Sequence, residues 1–145
     1  MSDVADPAAP IRPGAAVRPG VVALVTALVV NIAVVLVGRS TGADLEVTQG
    51  GTTTTVGVPQ VAAMTVGPLA AATVVLALVG RFGAHAWNLL AWAGLGIGVL
   101  TAALPLLADA STETRLTLAV LHVCVGFSWF LAVRRALPEG VLARG

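Results

Sequence analysis

Four long apolar segments without an acidic or basic residue constrain this chain more than any other feature. They run approximately over Val21–Gly38, Val58–Gly80, Ala86–Leu107 and Leu116–Val133. Each has about 18 to 23 residues, close to the ~20 that a helix needs to cross ~30 Å of hydrocarbon. Backbone groups in lipid must be hydrogen-bonded internally, and the alternation typical of a membrane β-barrel is absent. We therefore predict an all-α fold, a bundle of four transmembrane helices.

Composition agrees with lipid as the solvent. Hydrophobic residues make up 57% of the 145 residues and charged residues only 10%, whereas about 25% is usual for a soluble domain. The first apolar segment is longer than the 7–15 residues typical of a cleaved signal peptide, so we interpret it as a retained helix. The net charge is +1 and the basic residues form no dense run, which argues against a nucleic-acid partner.

The arginines predict an orientation. With both termini in the cytoplasm, the inner side holds six of the eight arginines and the outer side holds only Arg39 and Arg115. This distribution satisfies the positive-inside rule, and we expect a multi-pass protein of the cell inner (plasma) membrane. The predicted organisation is a disordered cytoplasmic leader (1–20), a four-helix transmembrane domain (21–135) and a cytoplasmic tail (136–145).

The longest predicted loop, between the first two helices, has the pattern of a β-hairpin. Gly50-Gly51 separates "LEVTQ" from "TTTTV", and two glycines are typical of a two-residue hairpin turn. Such a fold would pair Leu45 with Val56 and Val47 with Thr54, with the apolar members on one face against the helix ends. The alternative is a flexible Thr/Gly linker, and the sequence leaves both open.

Several short motifs follow one another in a recognisable order. "GADLEV" and a Gly/Thr loop come after the first helix, "AWNLLAWAGL" leads to "LPLLADA", and "LAVLHVCVGF" in the last helix ends in "RR". Over about residues 20 to 135, this order resembles the small four-helix membrane proteins of high-GC bacteria grouped as domain-of-unknown-function family 6069. The resemblance implies four membrane helices and carries no assigned activity, substrate or cofactor.

The side chains provide no recognisable catalytic or metal site. Cys124 is the only cysteine, so the dithiol cycle of a quinone-linked thiol oxidoreductase cannot operate within one chain. No acidic residue lies in a predicted span, whereas proton-coupled exporters need a buried carboxylate. His122 and Cys124 point about 200° apart on a helix, and His85 lies at the opposite membrane face, so metal ligands do not converge. We expect no enzymatic activity and no cofactor.

Gly94 and Gly98 form a GxxxG pair in the third segment. "GLGIG" is not interpreted as a nucleotide loop because it lies within an apolar span and follows no strand. Small residues at this spacing allow two helix backbones to approach closely in lipid. The partner helix belongs either to the same chain or to a second copy, and the sequence does not decide between them.

Prolines and tryptophans give further local expectations. Pro68 and Pro105 remove hydrogen bonds to the carbonyls of Met64 and Thr101, and each predicts a kink that shapes the bundle. The alternative is a break in the helix that lines a transport site. Trp87 and Trp129 lie towards helix ends and are interpreted as interfacial anchors. Trp92 lies deeper and is interpreted as an ordinary packing residue.

Each predicted helix carries one polar residue at a similar depth. Asn31, Thr65, Thr101 and His122 all lie about six or seven residues from the outer end of their segment, or roughly 10 Å below the surface. Because unmatched polar groups are costly in lipid, we predict a buried hydrogen-bonded layer. His122 and Asn31 would form its centre, with Thr65 and Thr101 at its edge.

Two hypotheses for function follow from different classes of protein. The first is a structural or accessory membrane protein, in which the bundle is a scaffold for another membrane protein or a second copy of the chain. The alternative is a small-solute transporter or channel that uses the polar layer around His122 and Asn31. Its intramembrane polar groups would then line a path for the solute.

Overall fold

The computed structural model describes residues 9–137 and confirms the all-α architecture. Four helical spans within this part of the chain are long and apolar enough to cross a membrane. The elements are α1 (Val17–Ser40), β1 (Glu46–Gln49), β2 (Thr52–Thr55), α2 (Val58–Val79), α3 (Ala84–Thr101), α4 (Ala103–Leu106) and α5 (Thr112–Ala136). The small two-stranded sheet is the hairpin between α1 and α2.

Helical structure begins earlier in the N-terminal segment than the predicted start at residue 21. A 3₁₀ turn occupies Pro13–Ala16 and α1 begins at Val17, so the end of the predicted leader is part of the first helical span. Proline suits the first positions of a helix, where its missing N–H has no partner to lose. The Ile11 amide also donates to the Gly80 carbonyl at 2.8 Å, which ties this segment to the end of α2. Residues 1–8 of the predicted leader and 138–145 of the predicted tail lie outside the described residues.

The helices pack in the spatial order α2, α1, α5, α3. α1 packs against both α2 and α5, and α5 packs against both α1 and α3, whereas α2 and α3 make few contacts. A glycine lies at each of these crossings: Gly20 faces Thr73 of α2, Gly38 faces Thr117 of α5, and Gly98 of α3 faces Gly126 of α5. Glycine permits the close backbone approach that dispersion contacts need in lipid. The bundle is therefore closed on three sides and open between α2 and α3.

The third span is interrupted near its end. α3 ends at Thr101, and the short α4, which contains Pro105, continues the span to Leu106. The ring of Pro105 cannot donate to the Thr101 carbonyl, and this is where the helix breaks. Pro68, in contrast, lies inside α2 without ending it.

The hairpin forms in the predicted register. Val47 pairs with Thr54, and the Val56 amide donates to the Leu45 carbonyl at 2.7 Å. Gly50 and Gly51 have φ values of +57° and +80°, as a type I′ turn requires at both central positions. Leu45 is fully buried in a small cluster of residues from α1, α2 and α5. The apolar face of the hairpin therefore lies on the helix ends.

At the opposite end, two of the tryptophans are structural rather than interfacial. Trp87 Nε1 donates to the Leu76 carbonyl at 3.0 Å and joins α3 to α2, and Trp129 Nε1 donates to the Leu90 carbonyl at 3.0 Å and joins α5 to α3. Both indoles are buried, whereas Trp92 is exposed on the outside of α3. The interpretation of Trp87 and Trp129 as interfacial anchors was wrong because depth along a helix does not determine which way a side chain faces around the helix axis. Trp92 packs on Phe130, with the ring centroids 4.6 Å apart, as expected of a packing residue.

Candidate functional site

A cleft separates α2 from α3 in the described structure. It has a volume of about 470 Å³, within the usual range for small-molecule sites. α2 forms one wall, α3 and α4 form the other, and α5 forms the floor. The lining residues are Asn31, Val56, Val61, Met64, Thr65, Pro68, Leu69, Ala72, Gly94, Ile97, Gly98, Thr101, Leu104, Leu118, Leu121, His122, Val125, Gly126 and Trp129.

The cleft opens sideways, towards the region that lipid occupies. Met64 on the α2 lip is 74% exposed and Ile97 on the α3 lip is 62% exposed. Towards the termini the two walls converge, because α2 and α3 are joined by the short connection at Gly80–Phe82 and by the Trp87–Leu76 hydrogen bond. The cleft is thus a wedge that is narrow at this connection and open along the side of the bundle.

All four residues of the predicted polar layer line this cleft. Asn31 Nδ2 donates to Thr65 Oγ1 at 2.9 Å, and Thr65 Oγ1 donates in turn to the Val61 carbonyl at 2.7 Å. Both side chains are buried, at 1% and 2% exposure. This hydrogen bond joins α1 to α2 across the bundle interior.

The other two polar residues bond within their own helices. His122 Nδ1 lies 2.8 Å from the Leu118 carbonyl, and Thr101 Oγ1 donates to the Ile97 carbonyl at 2.7 Å. Within residues 9–137 no hydrogen bond joins His122 to Asn31. The four residues therefore share a cleft, and the only bond between two of them is the one from Asn31 to Thr65.

One buried polar atom in the cleft wall has no partner. Asn31 Oδ1 is inaccessible to solvent and forms no hydrogen bond with the described residues. The amide orientation follows from Thr65, whose single hydroxyl proton is directed to Val61 and which therefore accepts from the Asn31 NH₂ group. An unpaired buried acceptor costs about 1–3 kcal/mol.

The GxxxG residues form the edge of the cleft floor and pack within the chain. Gly94 lies against Trp129, and a Cβ at Gly98 would lie 2.8 Å from Gly126 Cα. Of the two alternatives left open by the sequence, the structure shows the intrachain one. Gly126 was not singled out, because a lone glycine in an apolar span gives no spacing signal.

A second polar cluster holds the hairpin at the end of α5. Thr114 Oγ1 donates to Asp44 Oδ1 at 2.6 Å and accepts from the Leu45 amide at 3.0 Å. Ser111, the residue before α5, places its Oγ 3.2 Å from Asp44 Oδ1 and 2.9 Å from Thr114 Oγ1. We refer to Asp44, Ser111 and Thr114 as the hairpin clamp.

The clamp also accounts for two local perturbations. Hydrogen bonds from Thr114, from the Glu46 amide and from Ser111 lower the pKa of Asp44 below its ordinary value. Leu45 adopts φ +57°, a conformation rare for a residue with a Cβ. The bonds to its N–H and carbonyl and the burial of its side chain hold it there.

The described residues contain no group of three or more His, Cys, Asp or Glu side chains that could hold a metal ion. The polar chemistry of the cleft is limited to an imidazole, an amide, two hydroxyls and the indole of Trp129. Such groups can bind and orient a molecule by hydrogen bonds.

Comparison with known protein families identifies the family of this chain. The family of unknown function DUF6069 matches residues 11–139. The chain belongs to DUF6069. No curated protein and no solved structure matches it. For this member of DUF6069, the four apolar helices establish a multi-pass membrane protein, and family membership assigns it no activity.

Proposed function

We propose that the protein is a non-catalytic accessory protein of the bacterial inner membrane, a fixed four-helix scaffold that holds a lipid-soluble molecule in its cleft. The observation that carries this proposal is the sideways opening between α2 and α3. A molecule dissolved in the bilayer could enter there without crossing an aqueous phase. The proposed orientation has both termini in the cytoplasm and rests on the arginine distribution.

The rest of the bundle supports a scaffold. Hydrogen bonds between elements tie α1 to α2 through Asn31, α3 to α2 through Trp87, and α5 to α3 through Trp129. The hairpin clamp fixes the connection between α1 and α2 to the start of α5. A cleft with its walls held in this way is largely pre-formed, as small-molecule sites usually are.

The proposal is tested by identifying what the purified protein carries. Ala72 lines the cleft, whereas its neighbour Ala71 is exposed and does not. The full-length wild-type chain and the variants Ala72→Phe and Ala71→Phe would be purified from the same membranes. Organic extracts of equal amounts of protein would then be compared by mass spectrometry.

We expect about one apolar molecule per chain in the wild type and in Ala71→Phe, and its loss from Ala72→Phe, because a phenyl ring would fill the site. Circular dichroism would show that both variants keep their helices. Identical extracts from all three proteins would contradict the proposal.

A further inference from the structure

The hydroxyl and indole groups that line the cleft already donate their hydrogen bonds to backbone carbonyls of the protein. Thr65 donates to the Val61 carbonyl and Thr101 to the Ile97 carbonyl, both at 2.7 Å. Trp129 donates to the Leu90 carbonyl at 3.0 Å. The hydroxyls can therefore offer a ligand only lone pairs, and the indole offers no polar contact at all.

The imidazole of His122 also donates its N–H to a backbone carbonyl. A carbonyl oxygen can only accept, so the 2.8 Å contact with the Leu118 carbonyl requires the proton to be on Nδ1. In the neutral ring Nε2 then carries a lone pair. This atom bonds to no other described residue, and His122 lines the cleft while only partly buried.

The amide of Asn31 is buried, so its unpaired Oδ1 is no more accessible to a ligand than its N–H groups are. Apart from the second N–H of this amide, which is buried with the side chain, no side-chain donor remains in the lining. The cleft is thus an apolar chamber whose exposed polar groups are acceptors.

We propose that the molecule bound in the cleft is an apolar compound with a hydroxyl, or a comparable O–H or N–H donor, that bonds to His122 Nε2. This inference rests on the proposed function and names its ligand class. A ligand with a donor forms a hydrogen bond to the lone pair on His122 Nε2. An ether, ester or ketone of the same shape offers only acceptor oxygens and cannot form this bond. Burying polar atoms without a partner disfavours that second class.

The position of His122 also predicts which end of the bound molecule carries the O–H or N–H donor. His122 lies on α5, the floor of the cleft, and Thr101 lies on α3, one of its walls, and most of the other lining residues are apolar. From Val61 to Ala72 the α2 wall extends over about 16 Å at ~1.5 Å per residue. The bound molecule accordingly has its donor near the hairpin end and an apolar body that extends towards Trp129.

A matched pair of probes tests the donor requirement directly. One probe is an octylphenol that carries bromine at the far end of its octyl chain, and the other is its methyl ether, which has the same apolar body and no donor. Bromine quenches tryptophan fluorescence on contact, and Trp129 lines the cleft. The full chain would be titrated in detergent in a Trp92→Phe background, which removes the exposed indole.

We expect the phenol to bind about tenfold more tightly than the ether, the difference that one hydrogen bond of ordinary strength makes. His122→Leu should reduce phenol affinity to that of the ether. Thr26→Val, a polar-to-apolar change on the exposed face of α1, should change neither. His122→Leu breaks no bond between helices, and unchanged ether binding in that variant shows that the cleft is intact.

Equal affinities of the two probes in the wild type would overturn the inference, as would a phenol preference that survives His122→Leu. The Ala72→Phe variant separates this failure from failure of the proposed function. If both probes bind equally and Ala72→Phe blocks both, the cleft is a binding site and only the donor requirement is wrong. If Ala72→Phe changes neither titration, both proposals fail.

Discussion

Replacing Gly98 with alanine tests the helix crossing that forms the floor of the cleft. A Cβ at this position would lie 2.8 Å from Gly126 Cα and 2.8 Å from the His122 carbonyl oxygen. Both are backbone atoms and cannot rotate away. Because carbon atoms in contact prefer about 3.5–4.0 Å, α3 and α5 must separate by about 1 Å.

The loss in the free energy of unfolding caused by this separation can be estimated. Overpacking of this kind usually costs about 1–3 kcal/mol. The Trp129–Leu90 hydrogen bond, at 3.0 Å, would also lengthen to about 4 Å and be lost, which adds about 1 kcal/mol. We therefore expect Gly98→Ala to lower the free energy of unfolding by about 2–4 kcal/mol.

Gly96 supplies the matched control on the same helix. Nothing lies within 4 Å of a Cβ built there, so Gly96→Ala should be neutral or stabilise by up to about 1 kcal/mol through helix propensity. Equilibrium unfolding in mixed micelles, followed by circular dichroism and tryptophan fluorescence, measures both. A Gly98→Ala protein within about 0.5 kcal/mol of the wild type, or equal losses in the two variants, would refute the close crossing.

Three further predictions concern the hairpin and the topology. Thr114→Val removes the clamp's central hydroxyl and should cost about 1–3 kcal/mol, with faster hydrogen exchange at the Leu45 amide, whereas Thr114→Ser should retain protection. Because the clamp lowers the pKa of Asp44, the stabilisation from Asp44 is fully present above the ordinary carboxyl value of 3.8 and is lost as the pH falls through the lower folded-state value; the protection factors of the hairpin amides, corrected for the intrinsic exchange rate at each pH, should fall only below pH 3.8. Reporter fusions after Gly50 and Gly145 should report outside and inside respectively, and an external C-terminal reporter would reverse the proposed orientation.

The sequence predicted those parts of the fold that depend on local composition and spacing. Charge-free segments of membrane length predicted the four spans. Gly50-Gly51 with flanking alternation predicted the register of a hairpin, whereas a flexible linker was left open as the alternative and the structure shows the hairpin. The start of α1 was misplaced because the proline-rich segment around Pro13 was interpreted as disordered, whereas it continues the first span as a 3₁₀ turn and helix.

The sequence predicted how far along each helix the polar residues lie, but not which way their side chains face around the helix axis. Counting residues placed Asn31, Thr65, Thr101 and His122 at one level, and all four line the cleft. Helices that are apolar on every face give no signal for rotation about their axes, so the hydrogen-bond partners could not be deduced. The cleft itself depends on α2 and α3 remaining apart, and no periodicity encodes that separation.

Long-range polar contacts were likewise inaccessible to sequence reasoning. Asp44 and Thr114 are 70 residues apart in the chain and meet only because α1 and α5 pack together. A local signal existed at Ser111, a favoured residue before a helix, but nothing in the sequence connected it to Asp44.

The central claim is that the cleft opens to lipid rather than to water, and a spin label at Ala72 tests it most directly. The label would be attached to an Ala72→Cys variant in a Cys124→Ala background. The background change should be nearly neutral, because Cys124 lies partly buried in α5 and behaves as a small apolar residue. In reconstituted bilayers, we predict frequent collisions with molecular oxygen, which dissolves in lipid, and rare collisions with a water-soluble nickel complex. Nickel collisions as frequent as those of a label at the exposed Thr53 would show an aqueous path and contradict the account.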